Sequence, residues 1–272
     1  MKKIACSALA LDLDGTLTNS KKEITQATKS AVKEVISRGI HVILASGRPV
    51  LGIKPTAEAL GLYESGGFIL AYNGGQIIDC KTNEVIFERL LPMEYYGEIC
   101  NLAREMGLNA LTYDDFGVLA ECDTARYVLK EAYNNSIPIK KVENLVKAVP
   151  SPVIKFMIVG EPDKIATCLP IAQKVFSGRI NVFLSEPYFM ELTFPSIEKA
   201  SALGILMEYL KLDKSKLVAC GDGLNDLPML RFAGYAVAME NAYDEVKDVA
   251  DYITLSNDED GVADFLCKYI LH

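Results

Sequence analysis

Two aspartates separated by a single residue, Asp12 and Asp14 in the run LDLDGT, are the side chains of this chain best spaced for chemistry. They follow an apolar stretch, IACSALAL, that has the character of a buried strand, and Gly15 permits a sharp turn directly after them. In a strand, positions i and i+2 share a face, so both carboxylates would project from the strand's carboxyl end into one space. Such a pair suits a cation, or a nucleophile with an acid beside it. It also suits plain turn chemistry, in which the side chains accept backbone N–H bonds. A calcium loop fails on spacing: Glu23 is twelfth counting from Asp12, but the sixth position, where that loop needs glycine, is Leu17.

Three further segments carry polar groups at similar junctions. CGDGLNDLPML brings Asp222, Asn225 and Asp226 to the end of another apolar run, where a glycine turn followed by a capped helix is the competing reading. Its GDG lacks the third glycine of a dinucleotide fingerprint. Ser46 ends IHVILAS and precedes Gly47, Arg48 and Pro49; a hydroxyl with adjacent N–H groups at a strand-to-helix junction can bind phosphate oxygens, or can simply cap the helix. Lys199, in FPSIEKASAL, is taken alone a lysine near a helix start, suited to solvent.

The elements that must position these residues alternate short apolar runs with amphipathic segments, the pattern of β-α units and a parallel sheet. Thr25 to Arg38 is expected to be a helix with Thr25 as N-cap and Gly39 as its stop, followed by the strand IHVILAS, a helix to Leu60, a strand at FILAYN and a hairpin over 76–88 turning near Thr82 and Asn83. From about Pro92 to Tyr188 the rhythm becomes that of an α+β module with an antiparallel sheet. From Glu191 the β-α alternation returns, with strands at KLVAC and YAVAM and helices at 197–210, after Asn225 and after Asp258. The fold class expected is therefore α/β, a doubly wound parallel-sheet core formed by residues 1–84 and 190–272, with an inserted α+β domain over 85–189. Function is expected between the two modules or at the strand ends of the larger one.

With 272 residues, half of them apolar and 24% charged, the chain can bury a sizeable core. A net charge of −8 argues against general affinity for nucleic acid or anionic membranes, and requires that an anionic substrate be met by a local cationic device. The seven cysteines, at 6, 80, 100, 122, 168, 220 and 267, form no C-x-x-C pair and are read as small core residues of a reducing cytosol. His41 and His272 are the only histidines, and neither is well placed to activate a serine or cysteine nucleophile. Lys2 and Lys3 before IACSALAL, with Ala8 and Ala10, imitate a short leader peptide, but cleavage there would remove the strand leading into Asp12; a cytoplasmic location is expected.

In chain order, a strand-end carboxylate pair, a strand-end hydroxyl, a lysine and a second strand-end carboxylate resemble the haloacid dehalogenase superfamily, and within it the Cof-type phosphatases of subfamily IIB, whose large C2B-type cap is inserted after the second motif. The long interval from Ser46 to Lys199 accommodates that insertion. Asn73 to Gly75 (NGG), AMENA at 238–242 and NDEDGVA at 257–263 are similar to the same pattern, whereas likeness thins over the inserted segment. Two departures stand out: Ala200 follows Lys199 where glycine is usual, and Glu240 occupies a position where glycine is common.

The resemblance implies a Mg²⁺-dependent phosphatase of small phosphate esters, sugar phosphates foremost. Asp12 would be the nucleophile that becomes an aspartyl phosphate, and Asp14 the acid and then base. Mg²⁺ would be held by the Asp12 carboxylate, the Asp14 main-chain carbonyl and the Asp222 carboxylate. Ser46, the backbone N–H groups of Leu13 and Gly47, Lys199 and Asn225 would cradle phosphate, with Asp226 orienting Lys199 or a metal-bound water. The inserted module would act as a lid, with Tyr113, Asp115, Arg126 and Tyr188 as residues that core packing or solvation explains equally well. A phosphosugar mutase and a non-catalytic phosphosugar-binding protein are the alternatives; the expected partner is a small molecule, with neither nucleic acid nor membrane involved.

Overall fold

The structure, a computed structural model, describes residues 4–272; Lys2 and Lys3 of the leader-peptide reading lie outside the described residues. The chain divides into two compact units, one running to Phe87 and resuming at Glu198, the other spanning Glu88–Ile197.

The first unit opens with β1 (Ala8–Leu11), α1 (Gln26–Ser37), β2 (His41–Ala45), α2 (Val50–Leu60), a short α3 (Leu62–Ser65), β3 (Phe68–Ala71), β4 (Gln76–Asp79) and β5 (Val85–Glu88). Thr25 caps α1, its hydroxyl accepting from the Thr28 N–H at 3.2 Å.

The second unit contains α4 (Tyr96–Glu105), β6 (Asn109–Tyr113), β7 (Val118–Ala120), α5 (Arg126–Asn135), β8 (Ile139–Lys141), α6 (Leu145–Ala148), β9 (Lys155–Val159), α7 (Pro162–Val175), β10 (Asn181–Glu186) and β11 (Phe189–Thr193). Its sheet has the order β10-β11-β9-β6-β7-β8, antiparallel except for the β7–β8 pair. Phe156, Ile158, Met190 and Leu192 are buried with Ile99, Ala103, Ile165 and Ala172 from α4 and α7. Tyr113 is core here, donating to the buried Glu131 at 2.5 Å. Tyr188 stacks on Tyr127 with ring centroids 5.2 Å apart, beneath Lys130.

The first unit resumes with α8 (Lys199–Tyr209), β12 (Leu217–Gly221), α9 (Leu227–Phe232), β13 (Tyr235–Ala238), α10 (Asp244–Lys247), β14 (Tyr252–Ile253) and α11 (Gly261–Tyr269). Both chain segments build one sheet, β14-β13-β12-β1-β2-β3-β4-β5, parallel from β14 to β3. Alternation along β1 divides its side chains between two helical layers. Leu9 and Leu11 are buried with Val32, Val35, Ile53 and Phe265, whereas Ala8 and Ala10 are buried with Leu203, Leu206 and Met229.

The units divide at different residues from those read in the sequence. Residues 85–87 join the first unit because β5 extends its sheet beyond β4. Residues 190–197 join the second because β11 pairs with β9 and β10, Glu191 lying opposite both Met157 and Phe183. Cys80, Cys100, Cys168 and Cys220 are buried, Cys6 and Cys122 half-buried and Cys267 exposed, all as free thiols. Among the described residues no helix is long and apolar enough to cross a membrane.

Candidate active site

β1 lies between β12 and β2 in parallel register, with Leu11 opposite both Cys220 and Leu44. Asp12, Ser46 and Asp222, each following its strand directly or at once after its last residue, therefore meet at three adjacent carboxyl ends. Lys199, the first residue of α8, is buried to 1% exposure between two carboxylates. Its Nζ lies 2.6 Å from Asp12 Oδ1 and 2.6 Å from Asp226 Oδ1. Asp226 Oδ2 in turn accepts the N–H groups of Asp222 and Gly223, each at 3.0 Å, so both its oxygens are engaged.

Three carboxylates around one ammonium leave an excess of buried negative charge, and the protonation equilibria reflect it. Burial pushes the Asp12 carboxyl well up, and the Asp226 and Asp222 charges add to this against the pull of Lys199. Asp222 is pushed up to about 6, chiefly by burial, although the Thr16 hydroxyl donates to it at 2.7 Å. Burial would lower Lys199, but Asp12 and Asp226 outweigh it and raise the ammonium above its ordinary value.

The same excess fits a cation. Asp12, Asp222 and Asp226 each bring one oxygen within 4.8 Å of the others, and hard carboxylate oxygens suit a divalent ion such as Mg²⁺. With both Asp226 oxygens engaged, Asp12 and Asp222 are the residues that would hold it. Gly15 keeps that space open: at φ +84° it takes a backbone that favours glycine, and a Cβ there would stand 2.3 Å from Asp222 Oδ2.

Asp14 belongs to a different environment from Asp12. β1 ends at Leu11, and Asp14 sits in a turn that makes a single bridge to Thr18, so strand alternation does not set its direction. Arg48 donates to both its oxygens, Nε to Oδ2 at 2.7 Å and Nη2 to Oδ1 at 2.6 Å, and Lys22 Nζ reaches Oδ1 at 2.5 Å. Burial works to raise this carboxyl, but the Arg48 hydrogen bonds and charge, followed by those of Lys22, hold it below its ordinary value. The loop is strapped from outside by Asn241, donating to Gly15 O at 2.8 Å, and by Asn257, donating to Thr18 O at 2.9 Å.

Ser46 is buried, and its Oγ accepts the Arg48 N–H at 3.2 Å; the N-cap of α2 is Pro49, so the helix-cap reading of Ser46 is not what forms. Asn225 donates through Nδ2 to Asn73 Oδ1 at 3.2 Å. Asn73 lies in a run of three left-handed residues, Tyr72 (φ 54°), Asn73 (φ 56°) and Gly74 (φ 102°). Tyr72 there costs about 1–2 kcal/mol, whereas asparagine tolerates the region.

The chain matches the haloacid dehalogenase-like hydrolase family over residues 9–266, nearly its whole length. It belongs to that family. This hydrolase is similar to a haloacid dehalogenase-like hydrolase from Bacteroides thetaiotaomicron of known crystal structure, with 44% identity, coverage of 97% of this chain and 99% of the other, and a TM-score of 0.95. A relative from Streptococcus pyogenes, provisionally named a phosphatase, is 32% identical, with 97% of this chain and 98% of that one aligned. The 5-amino-6-(5-phospho-D-ribitylamino)uracil phosphatase YcsE of Bacillus subtilis is 28% identical, covering 97% of this chain and 95% of its own.

In this hydrolase the structure brings Asp12, Asp222, Asp226 and Lys199 into direct contact or close approach, and sets Ser46 at the neighbouring strand end. Leu13 and Gly47 occupy the backbone positions beside Asp12 and Ser46, while Asn225 reaches Asn73. Sequence reasoning named Arg48 only as part of GRP and gave no role to Lys22, Thr16, Asn241 or Asn257. Arg48 adjoins Ser46 and Gly47 in one strand-end run, and Thr16, Asn241 and Asn257 lie inside LDLDGT, AMENA and NDEDGVA, so only Lys22 stands outside every segment the sequence marked.

Proposed function

We propose that this hydrolase is a divalent-metal-dependent phosphatase of small phosphorylated metabolites, working through Asp12. Its reaction class is that of a phosphoric monoester hydrolase, in keeping with the phosphatase names of its full-length relatives. The observation that carries the reading is the buried Asp12–Lys199–Asp226 chain beside Asp222, a carboxylate nucleophile with its charge partner at the end of a parallel strand.

In this reading an Asp12 oxygen attacks phosphorus, the bond to the ester oxygen breaks, and Asp14 gives its proton to the departing alcohol. Water then attacks phosphorus of the aspartyl phosphate, passing its proton to Asp14 and freeing inorganic phosphate and the Asp12 carboxylate. Lys199, Ser46, Asn225 and the Leu13 and Gly47 N–H groups stabilise charge on the phosphoryl oxygens. Asp226 keeps the Lys199 ammonium on the Asp12 side. Mg²⁺ held by Asp12 and Asp222, together with the Asp14 main-chain carbonyl, would offset repulsion between the carboxylate and the phosphate. Asp14 gripped by Arg48 and Lys22 is in its base form; donating a proton requires that this grip relax.

Sugar phosphates are the substrate class proposed, and the ribityl phosphate named for the Bacillus relative is of the same polyol-phosphate chemistry. The test is phosphate release from p-nitrophenyl phosphate and a panel of phosphorylated metabolites, with and without Mg²⁺. Metal-dependent release, abolished by Asp12→Asn, is the expected result; turnover retained in Asp12→Asn would overturn the mechanism. Conversion of a hexose 1-phosphate to its 6-phosphate without phosphate release would instead identify a mutase.

A further inference from the structure

The left-handed run at Tyr72, Asn73 and Gly74 touches three of the segments to which the phosphatase reading assigns phosphate binding. Its backbone meets the second: the Asn73 N–H donates to Ser46 O at 2.9 Å and the Tyr72 N–H to Arg48 O at 3.0 Å. Gly74 lies against the helix start that carries Lys199, so closely that a Cβ there would stand 2.5 Å from Glu198 O. The Asn73 side chain meets the fourth, its Oδ1 accepting from Asn225. The whole carboxamide lies over Gly47, where a Cβ would stand 3.0 Å from Asn73 Nδ2 and 3.2 Å from its Oδ1. A bulky tyrosine is thus held in a backbone conformation that side chains rarely adopt, directly before an asparagine that tolerates it, and strain of this kind collects at functional sites.

We propose that Asn73 is a phosphate-binding residue of this hydrolase. Its Oδ1 fixes the Asn225 carboxamide, and its Nδ2 is a neutral donor to a phosphate oxygen. The strained turn serves this by delivering the carboxamide between Gly47, which has no side chain, and the Asn225 side chain, which it contacts. The division of labour is chemically sensible. Lys199 is locked between two carboxylates, so a neutral donor adds a hydrogen bond to phosphate without adding charge to the Asp12 site.

The inference rests on the phosphatase reading but is tested by binding alone. Inorganic phosphate is titrated calorimetrically into the full chain with Mg²⁺ present, and thermal unfolding is recorded for each variant. Asn73→Gly keeps the left-handed backbone and removes the carboxamide; Kd for phosphate should rise tenfold or more. Asn73→Asp keeps the shape, the acceptor and tolerance of the left-handed region but replaces the donor with a charge, so it should bind phosphate more weakly still. A residue that only shapes the turn predicts Asn73→Gly near the unaltered chain, because glycine keeps that backbone, and leaves the added charge as the sole reason for weaker binding by Asn73→Asp. Phosphate binding within twofold of the unaltered chain in either variant overturns the proposal, as does absence of phosphate binding to the unaltered chain. Failure of the phosphatase reading shows itself separately, as an unaltered chain that binds phosphate yet releases none from any ester.

Discussion

Arg48 grips both carboxylate oxygens of Asp14, at 2.6 and 2.7 Å, while Asp12, two residues earlier, is paired with Lys199 instead. One carboxylate is thereby held low and ionised at a half-open surface, and the other is raised in the interior. Two acids that look alike in LDLDGT differ in their electrostatics because their partners come from different segments, Arg48 from the loop after β2 and Lys199 from the start of α8.

Removing the grip should move a proton. Arg48→Met takes away the main influence that lowers Asp14, leaving burial opposed by Lys22 alone, so the carboxyl should move up. If Asp14 is the acid, the alkaline limb of kcat/KM for an alkyl phosphate shifts to higher pH, whereas p-nitrophenyl phosphate, whose leaving group needs little protonation, shows a smaller change. A limb that stays in place for both substrates removes Asp14 as the proton donor. The sign for stability follows from the same shift. A carboxyl titrating lower in the folded chain contributes stability above its ordinary value and loses it as pH falls, so Arg48→Met should flatten part of the acid limb of an unfolding curve.

Lys199→Met leaves Asp12 and Asp226 facing each other in the interior without their shared cation. Breaking a buried charge pair in this way costs about 3–5 kcal/mol, read as a fall in thermal midpoint at neutral pH. Adding Asp226→Asn should restore much of that stability while activity stays lost. A double variant no more stable than the single one would mean that the charge imbalance is not what the lysine relieves.

Without metal, Asp222 should make the folded chain less stable as pH rises. Its carboxyl is pushed up to about 6, so between its ordinary value and that point the folded chain binds more protons than the unfolded one, and stability falls with rising pH across the window. Asp222→Asn is expected to raise the metal-free thermal midpoint at pH 7 and to abolish the upward shift that Mg²⁺ gives the unaltered chain. A Mg²⁺ shift that survives in Asp222→Asn would place the ion elsewhere.

Gly15→Ala combines a left-handed backbone with a Cβ driven into the Asp222 carboxylate. The expected outcome is a loss of about 1–3 kcal/mol in stability, together with loss of the Mg²⁺-induced thermal shift. Retention of the full shift would show that Asp222 has room to move aside.

Much of the fold was legible because strand ends announce themselves: apolar runs such as IHVILAS and KLVAC stop where Ser46 and Asp222 begin, and Thr25 caps its helix as its sequence context implies. β11 was less so. FMELT carries an acid at its centre, and only its pairing with β9 and β10 assigns it to the second unit. In the site, local cues identified Asp12, Asp14, Ser46 and Asp222, and the resemblance supplied Lys199. Contacts that join distant positions were invisible: nothing in the neighbourhood of Lys22 says that its left-handed backbone, φ 63°, brings the ammonium to Asp14. Asn241 and Asn257 reach the Asp14 loop from more than two hundred residues away, which spacing cannot reveal.

β1 pairs on one side with β2, close behind it in the chain, and on the other with β12, which begins only at Leu217. On the ribosome, at about 5–20 residues per second, the strand bearing Asp12 waits roughly 10–40 s for that second neighbour. Lys199, Asp222 and Asp226 arrive in the same late stretch. A chain truncated before Lys199 thus carries Asp12 without its ammonium partner, without Asp222 beside it and without one flank of its strand, so the buried charge cluster assembles only after Asp226 has been added.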